Sequence, residues 1–177
     1  NKPIVAIVGR PNAGKSTLFN RLAGQRTAIV SSVSGTTRDR VTTETEWGDR
    51  TFILVDTGGL ALLAETELEQ KIKSQINVAI AEADVIIMLV DVHVGVTAGD
   101  RDVADTVRRA HKPVVLATNK ADNEQRAAAA LDFYELGLDE PLPISAYHNL
   151  GVDDLMAQVI THFPTDRQIT EPEADLR

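Results

Sequence analysis

The chain has 177 residues and a formal net charge of −8 with a pI near 5.0, which excludes a general basic field for gripping nucleic acid or an anionic membrane. It contains no cysteine, so a disulfide framework and a thiolate metal site are excluded, and the composition suits a reducing, cytoplasmic setting. Hydrophobic residues make up 43% but aromatics only 4%, and apolar runs stop at about six residues, so aliphatic side chains must fill a single α/β core and a membrane-spanning helix is not expected.

Ile4 to Val8 is an apolar run ended by Gly9, and beyond Gly14 the residues Leu18, Phe19 and Leu22 share one helical face, so strand, loop and helix are expected in that order. The loop Gly9-Arg10-Pro11-Asn12-Ala13-Gly14-Lys15-Ser16 fits G-x-x-x-x-G-K-[ST]. In such a loop, here Gly9 through Thr17, the backbone N–H groups of the residues other than Pro11 turn onto phosphates at a helix N-terminus whose dipole favours anions. Lys15 would reach the β- and γ-phosphates and the Ser16 hydroxyl would bind Mg2+. The alternative, an ordinary glycine turn, does not require the flanking strand and helix.

Gly35-Thr36-Thr37-Arg38-Asp39 follows in a polar stretch where a Mg2+-binding loop belongs. Thr37 is chosen over Thr36 as the ligand, against a plain Ser/Thr/Gly loop. Thr42 to Trp47 and Thr51 to Val55 flank the turn dipeptide Gly48-Asp49 and read as an antiparallel edge hairpin. Asp56-Thr57-Gly58-Gly59 then fits D-x-x-G: Asp56 would hold Mg2+ through water, the Gly59 amide would meet the γ-phosphate, and Thr57, Gly58 and Leu60 would line the same loop.

Helices are expected at about Leu68 to Glu82, Arg101 to Ala110, Gln125 to Leu136 and Val152 to Phe163. They alternate with strands at Val85 to Val90, Val114 to Thr118 and Leu142 to Ser145, as right-handed βαβ units around a parallel sheet require. Ligands of such sheets sit beyond the carboxyl ends of the strands. Asn119-Lys120-Ala121-Asp122 falls at one such end and fits N-K-x-D. The Asp122 carboxylate can accept from N1–H and the exocyclic amine of guanine, whereas adenine presents an acceptor at N1 and no amine at C2. Asn119 would bind the N7 side of the base or brace the phosphate loop, and the Lys120 stem would cover the ring. A capped helix start is the competing reading. Backbone N–H groups of Ser145, Ala146 and Tyr147 are candidate donors to the guanine O6.

Arg10, Arg38 and Arg40 read as solvated charges rather than an arginine finger, and His93, His111, His148 and His162 lack metal-ligand spacing. Residues 1–163 are expected to form the nucleotide-binding domain and residues 164–177 an acidic linker. The start at Asn1 and the acidic end suggest a piece of a longer protein.

In their order, G-R-P-N-A-G-K-S, G-T-T-R-D, D-T-G-G, N-K-A-D and S-A cover about 150 residues and resemble the translation-factor-related GTPases of the TrmE–Era–EngA group. D-T-G-G-L and D-F-Y-E-L-G-L at Asp132 to Leu138 are most similar to the first G domain of its Der (EngA) branch. The resemblance implies a Ras-like α/β P-loop G domain: a mostly parallel six-stranded sheet with one antiparallel edge strand and helices on both faces. It implies binding of GTP and GDP, hydrolysis of GTP with Mg2+, and loops near 31–40 and 58–68 ordered by GTP. For the full-length family it implies a second G domain, a KH-like domain and work on the large ribosomal subunit and its rRNA. Leu60 stands where a Ras-like enzyme has its water-orienting glutamine, while Asn12 resembles the asparagine that holds K+ in potassium-dependent relatives. The catalytic set is therefore Lys15, Thr37, Gly59 and Asn12. Leu60, Leu62 and Leu63 are candidates for docking on a neighbouring domain. The rival readings are a nucleotide-gated binding module that hydrolyses almost nothing, a tRNA-modification or small-subunit-assembly GTPase of the same group, and an ATPase with a chance N-K-A-D.

Overall fold

The computed structural model describes residues 2–10, 13–24, 29–31, 40–56 and 76–164. In chain order the elements are β1 (Ile4–Gly9), α1 (Lys15–Ala23), β2 (Ile29–Ser31), β3 (Arg40–Trp47), β4 (Arg50–Asp56), a helical stretch at 76–82 (α2), β5 (Val85–Asp91), α3 (Ala98–Arg109), β6 (Val114–Asn119), α4 (Glu124–Ala129) running into a 3₁₀ segment (Ala130–Leu136), β7 (Leu142–Pro143) and α5 (Val152–Thr161).

Alternation along the strands decides the layers. Val5 and Ile7 of β1 join Leu18, Phe19 and Leu22 of α1 and Val152, Leu155, Met156 and Val159 of α5 on one face. Ala6 and Val8 join Ile76, Ala79 and Ile80 of α2, Val103 and Val107 of α3, and Phe133 and Leu136 on the other. A strand buried on both sides has no polar position to alternate, which is why Val85 to Val90 is continuously apolar and wholly buried.

The sheet order is β2-β3-β4-β1-β5-β6-β7. β1 runs parallel to β4 and β5, and β5, β6 and β7 continue parallel, while β3 is antiparallel to β4. The six expected strands and the antiparallel β3 are present. The structure adds β2, three residues long and antiparallel to β3 at the edge.

Several boundaries moved for identifiable reasons. Helix α3 begins at Ala98 rather than Arg101 because Thr97 and Asp100 form a capping box: Asp100 N–H donates to Thr97 Oγ1 at 3.0 Å and Thr97 N–H to Asp100 Oδ2 at 3.1 Å. The helix expected at Gln125 to Leu136 tightens into 3₁₀ form at Ala130. Its buried residues there are Ala130, Phe133 and Leu136, a three-residue repeat that a 3₁₀ turn stacks on one side. The last strand pairs only through Leu142 and Pro143, because Ser145 already leaves the sheet to exchange backbone hydrogen bonds with Leu150. Beyond it, Ile144 N–H still donates to Thr118 O at 2.9 Å. The start of the helix expected at Leu68 lies outside the described residues, as do residues 165–177.

Two side chains from outside close the ends of α1 and α2. Thr45 Oγ1 donates to Leu22 O at 3.0 Å, one of the carbonyls that the last turn of α1 leaves open. Lys112 Nζ lies 2.7, 2.7 and 2.9 Å from the carbonyls of Ile80, Ala81 and Ala83 and so closes the end of α2. Among the described residues no helix is long and apolar enough to cross a membrane.

Thr118 is fully buried, and among the described residues its Oγ1 has no hydrogen-bond partner. Thr118→Val should therefore leave stability unchanged or raise it by up to about 1 kcal/mol, whereas Thr45→Val, which strands the Leu22 carbonyl, should cost about 1–2 kcal/mol. Urea unfolding midpoints of the two variants decide, and an equal loss in both would refute the distinction.

Candidate functional site

The parallel register brings the carboxyl ends of four strands onto one rim. Ile7 pairs with Asp56, Gly9 with Leu89, and Asp91 with Asn119, so β4, β1, β5 and β6 each end with a residue of a motif or beside one.

Two glycines shape the first loop. Gly9 has φ 152° and Gly14 φ 101°. A Cβ on Gly9 would lie 2.4 Å from Leu89 O, and one on Gly14 would lie 2.2 Å from Asn119 Nδ2. Neither site admits a side chain without displacing its neighbour. Gly14 is also the N-cap of α1, with no side-chain cap and no acidic residue in the first turn. The first-turn N–H groups are thus open to an anion, and nothing negative on the helix opposes one. Helix α3 is the opposite case, its N-terminus already closed by Thr97 and Asp100.

Lys15 is buried, with Nζ 3.1 Å from Gly9 O and 3.3 Å from Arg10 O. Burial lowers its pKa, the Asp56 carboxylate pulls it partly back up, and the Arg10 charge lowers it further. Phosphate oxygens would supply the charge partner that two carbonyls provide only weakly. Ser16 and Thr17 are exposed on the first turn, and Asp56 is buried at the end of β4. Pro11, Asn12, Thr37, Thr57, Gly58, Gly59 and Leu60 lie outside the described residues, as do Leu62 and Leu63.

Arg10 has a different engagement from its neighbours in the loop. Its Nε donates to Thr97 Oγ1 at 3.1 Å and stands 3.8 Å from Asp100 Oδ1, while Gly99 leaves room for its stem. Arg10 thus ties the loop to the start of α3. The Asp100 pKa is raised, chiefly by burial, with the Thr97 hydrogen bonds and Arg10 acting against the rise and Asp91 adding to it.

The second half of the site centres on Asn119, which is buried. Its Nδ2 donates to Ala13 O at 2.9 Å and its Oδ1 accepts from Ala146 N–H at 3.0 Å. Of the two roles expected for Asn119, this geometry is that of the brace, and it engages one of the backbone donors expected for O6. Lys120 adopts φ 70°, and its Nζ sits 2.8 Å from Asp91 Oδ2, which lays its stem across the rim. Ala121 is buried, its N–H given to Ile144 O at 2.9 Å. The Asp122 carboxylate is accessible, with His148 Nε2 3.7 Å from its Oδ2. Ser145 is buried and exchanges backbone hydrogen bonds of 2.8 and 2.9 Å with Leu150. Arg21 Nε donates to Ala146 O at 3.1 Å and Nη2 to Tyr147 O at 2.8 Å.

Residues 91, 97, 100, 21 and 148 were not among the expected site residues. The Thr97-x-x-Asp100 capping pattern was legible in the sequence, and Asp91 ends an apolar strand. Arg21 and His148 carried no local signal, because their partners lie far away along the chain.

Comparison with known proteins bears on these features together. Residues 4–120 match the family profile described as 50S ribosome-binding GTPase. The chain is 48% identical over 182 residues to GTPase Der of Herpetosiphon aurantiacus and 50% identical to that of Chloroflexus aurantiacus, covering 99% of this chain and 40% of each relative. The motif-level resemblance to that branch is therefore borne out, and the chain spans about 40% of the length of these relatives. Among solved structures, an Aquifex aeolicus Era variant bound to GDP·AlF4− aligns with a TM-score of 0.73 at 30% identity, over 92% of this chain and 57% of that one. Era in complex with MgGDPNP and a 16S ribosomal RNA segment aligns with a TM-score of 0.74 at 29% identity, over 93% and 58%. The FeoB G domain of T. maritima, 22% identical with a TM-score of 0.68 over 92% and 99%, shares the fold.

Asn119→Ala should strand both the Ala13 carbonyl and the Ala146 N–H. Each buried loss is worth about 1–3 kcal/mol, so a destabilisation of roughly 2–6 kcal/mol is expected. Chemical denaturation measures it, and a loss below about 1 kcal/mol would show that the brace is dispensable.

Proposed function

This chain belongs to the 50S ribosome-binding GTPase family, and on that premise we propose that it binds GTP and GDP with Mg2+ and hydrolyses GTP to GDP and phosphate. The observation that carries the reading is the joint at Asn119, where one side chain holds the phosphate-loop backbone and the backbone of the 145–147 turn together.

The chain's own groups suit each part of that ligand. The cradle at Gly9 and Gly14, which a Cβ would fill, the uncapped start of α1 and the buried Lys15 fit a polyphosphate. Ser16 and Asp56 offer hydroxyl and carboxylate oxygens, the hard donors that Mg2+ takes, and Thr37 would complete the set. Bound there, Mg2+ offsets negative charge on the β- and γ-phosphate oxygens. The accessible Asp122 carboxylate would read N1–H and the 2-amine of guanine, beneath a Lys120 stem tethered by Asp91.

Leu60 has no group to orient water, so hydrolysis needs another source of transition-state stabilisation. Asn12 would hold a K+ ion beside the phosphates, which would supply positive charge against the charge developing on the β–γ bridge. For the whole protein the reading extends to the large ribosomal subunit and its rRNA, supported by the family's own description. The net charge of −8 leaves direct rRNA contact to other parts of that protein, the second G domain and the KH-like domain. Ordering of residues near 31–40 and 58–68 in the GTP state would be the signal passed on.

Two measurements test the reading. Asp122→Asn should lower GTP affinity at least about a hundredfold and raise affinity for xanthosine triphosphate, because the amide donates where the carboxylate accepts. Unchanged GTP binding would sink the base-reading assignment. Phosphate release should be faster in KCl than in NaCl. Equal, negligible rates in both salts would remove the K+ role and favour a nucleotide-gated binding module.

A further inference from the structure

We propose that Arg21 is a positioning residue for guanine recognition: from α1 it holds the carbonyls of Ala146 and Tyr147 so that the 145–147 turn presents an N–H to the O6 edge of the base. The inference rests on the guanine-reading assignment above and adds to it a residue outside every recognised motif.

Four backbone groups lie between the Ala146 N–H and the Tyr147 carbonyl, and three have partners. The Ala146 N–H goes to Asn119 Oδ1 at 3.0 Å, the Ala146 carbonyl accepts from Arg21 Nε at 3.1 Å, and the Tyr147 carbonyl accepts from Arg21 Nη2 at 2.8 Å. The fourth is the Tyr147 N–H, which has no acceptor among the described residues. In a planar trans peptide the N–H points opposite to the C=O. By fixing the Ala146 carbonyl toward α1, Arg21 turns the Tyr147 N–H away from that helix.

The guanidinium suits the task because its nitrogens form a rigid planar fork, and here two of them meet successive carbonyls. A lysine ammonium would keep the charge without the fork. The turn needs such a hold from outside, since Tyr147 is 77% exposed and packs only edge-on against His148, ring centroids 4.9 Å apart. The consequence is mechanical: α1 begins at the phosphate cradle and, through the Arg21 side chain, also holds the 145–147 turn, so one helix is linked to both parts of the site.

The test compares GDP with 6-thio-GDP, which keeps the N1–H and 2-amine seen by Asp122 but replaces O6 with sulfur, a weaker acceptor. In this chain, Arg21→Ala should weaken GDP binding about tenfold and 6-thio-GDP binding much less, so the preference for GDP shrinks. Arg21→Lys keeps the favourable cation in the last turn of α1 and should fall between wild type and Arg21→Ala. Melting temperatures identify any loss of folding, and if Arg21→Ala is unstable the same ratio is read on Arg21→Lys. A GDP to 6-thio-GDP ratio equal to wild type in every folded variant would overturn the proposal and leave Arg21 a structural clamp. Asp122→Asn serves as the separate control: failure to shift toward xanthosine nucleotides would strike the base-reading assignment, whatever Arg21 does.

Discussion

The site depends on one buried amide. Asn119 donates to the Ala13 carbonyl and accepts from the Ala146 N–H, so loops 106 and 27 residues away along the chain are held as one body. The contact exists only because Gly14 has no side chain: a Cβ there would lie 2.2 Å from the Asn119 amide nitrogen and displace it. The glycine of one motif and the asparagine of another are thus a single steric fit. An amide is suited to this, since it carries a donor and an acceptor on one rigid plane.

Around that joint the sheet supplies order. Strand β1 lies between β4 and β5, with β6 next, so the phosphate loop, Asp56, Asp91 and Asn119 follow from neighbouring strand ends. The charges at the rim are arranged in pairs that keep each long side chain in place. Lys15 rests on backbone carbonyls under the influence of Asp56, Lys120 is drawn to Asp91, and Arg10 to Thr97 and Asp100. An anion arriving at the start of α1 meets a helix end free of carboxylates, while the capped start of α3 next to it is closed by its own side chains. The two helices share a sheet and differ in what their first turns offer.

Elements with a strong periodic signal formed where the sequence placed them: the continuous apolar strands Val85–Asp91 and Val114–Asn119 and the amphipathic Val152–Thr161. The deviations came where a local feature competed with periodicity. A capping box drew the start of α3 back to Ala98, a three-residue burial repeat tightened the segment after Ala129, and the turn of Ser145 onto Leu150 ended the last ladder. Strand β2 was not legible, because three residues in a polar stretch carry no period of their own and pair only when β3 is beside them.

The amino-acid sequence alone determined the chemistry available: a glycine-framed phosphate loop, strand-terminal carboxylates, an N-K-x-D tetrad and an α/β alternation that brings them to one edge. These were legible because each is a contiguous pattern whose physical demand is local, a helix start, a buried strand or a turn. Only the tertiary structure decided how the patterns engage one another: that Asn119 braces rather than merely lines, that Arg10 faces α3, and that Arg21 reaches Ala146 and Tyr147. Those contacts join residues 87 to 126 positions apart, and no spacing rule carries them, because they come into existence only when the sheet sets its strands side by side.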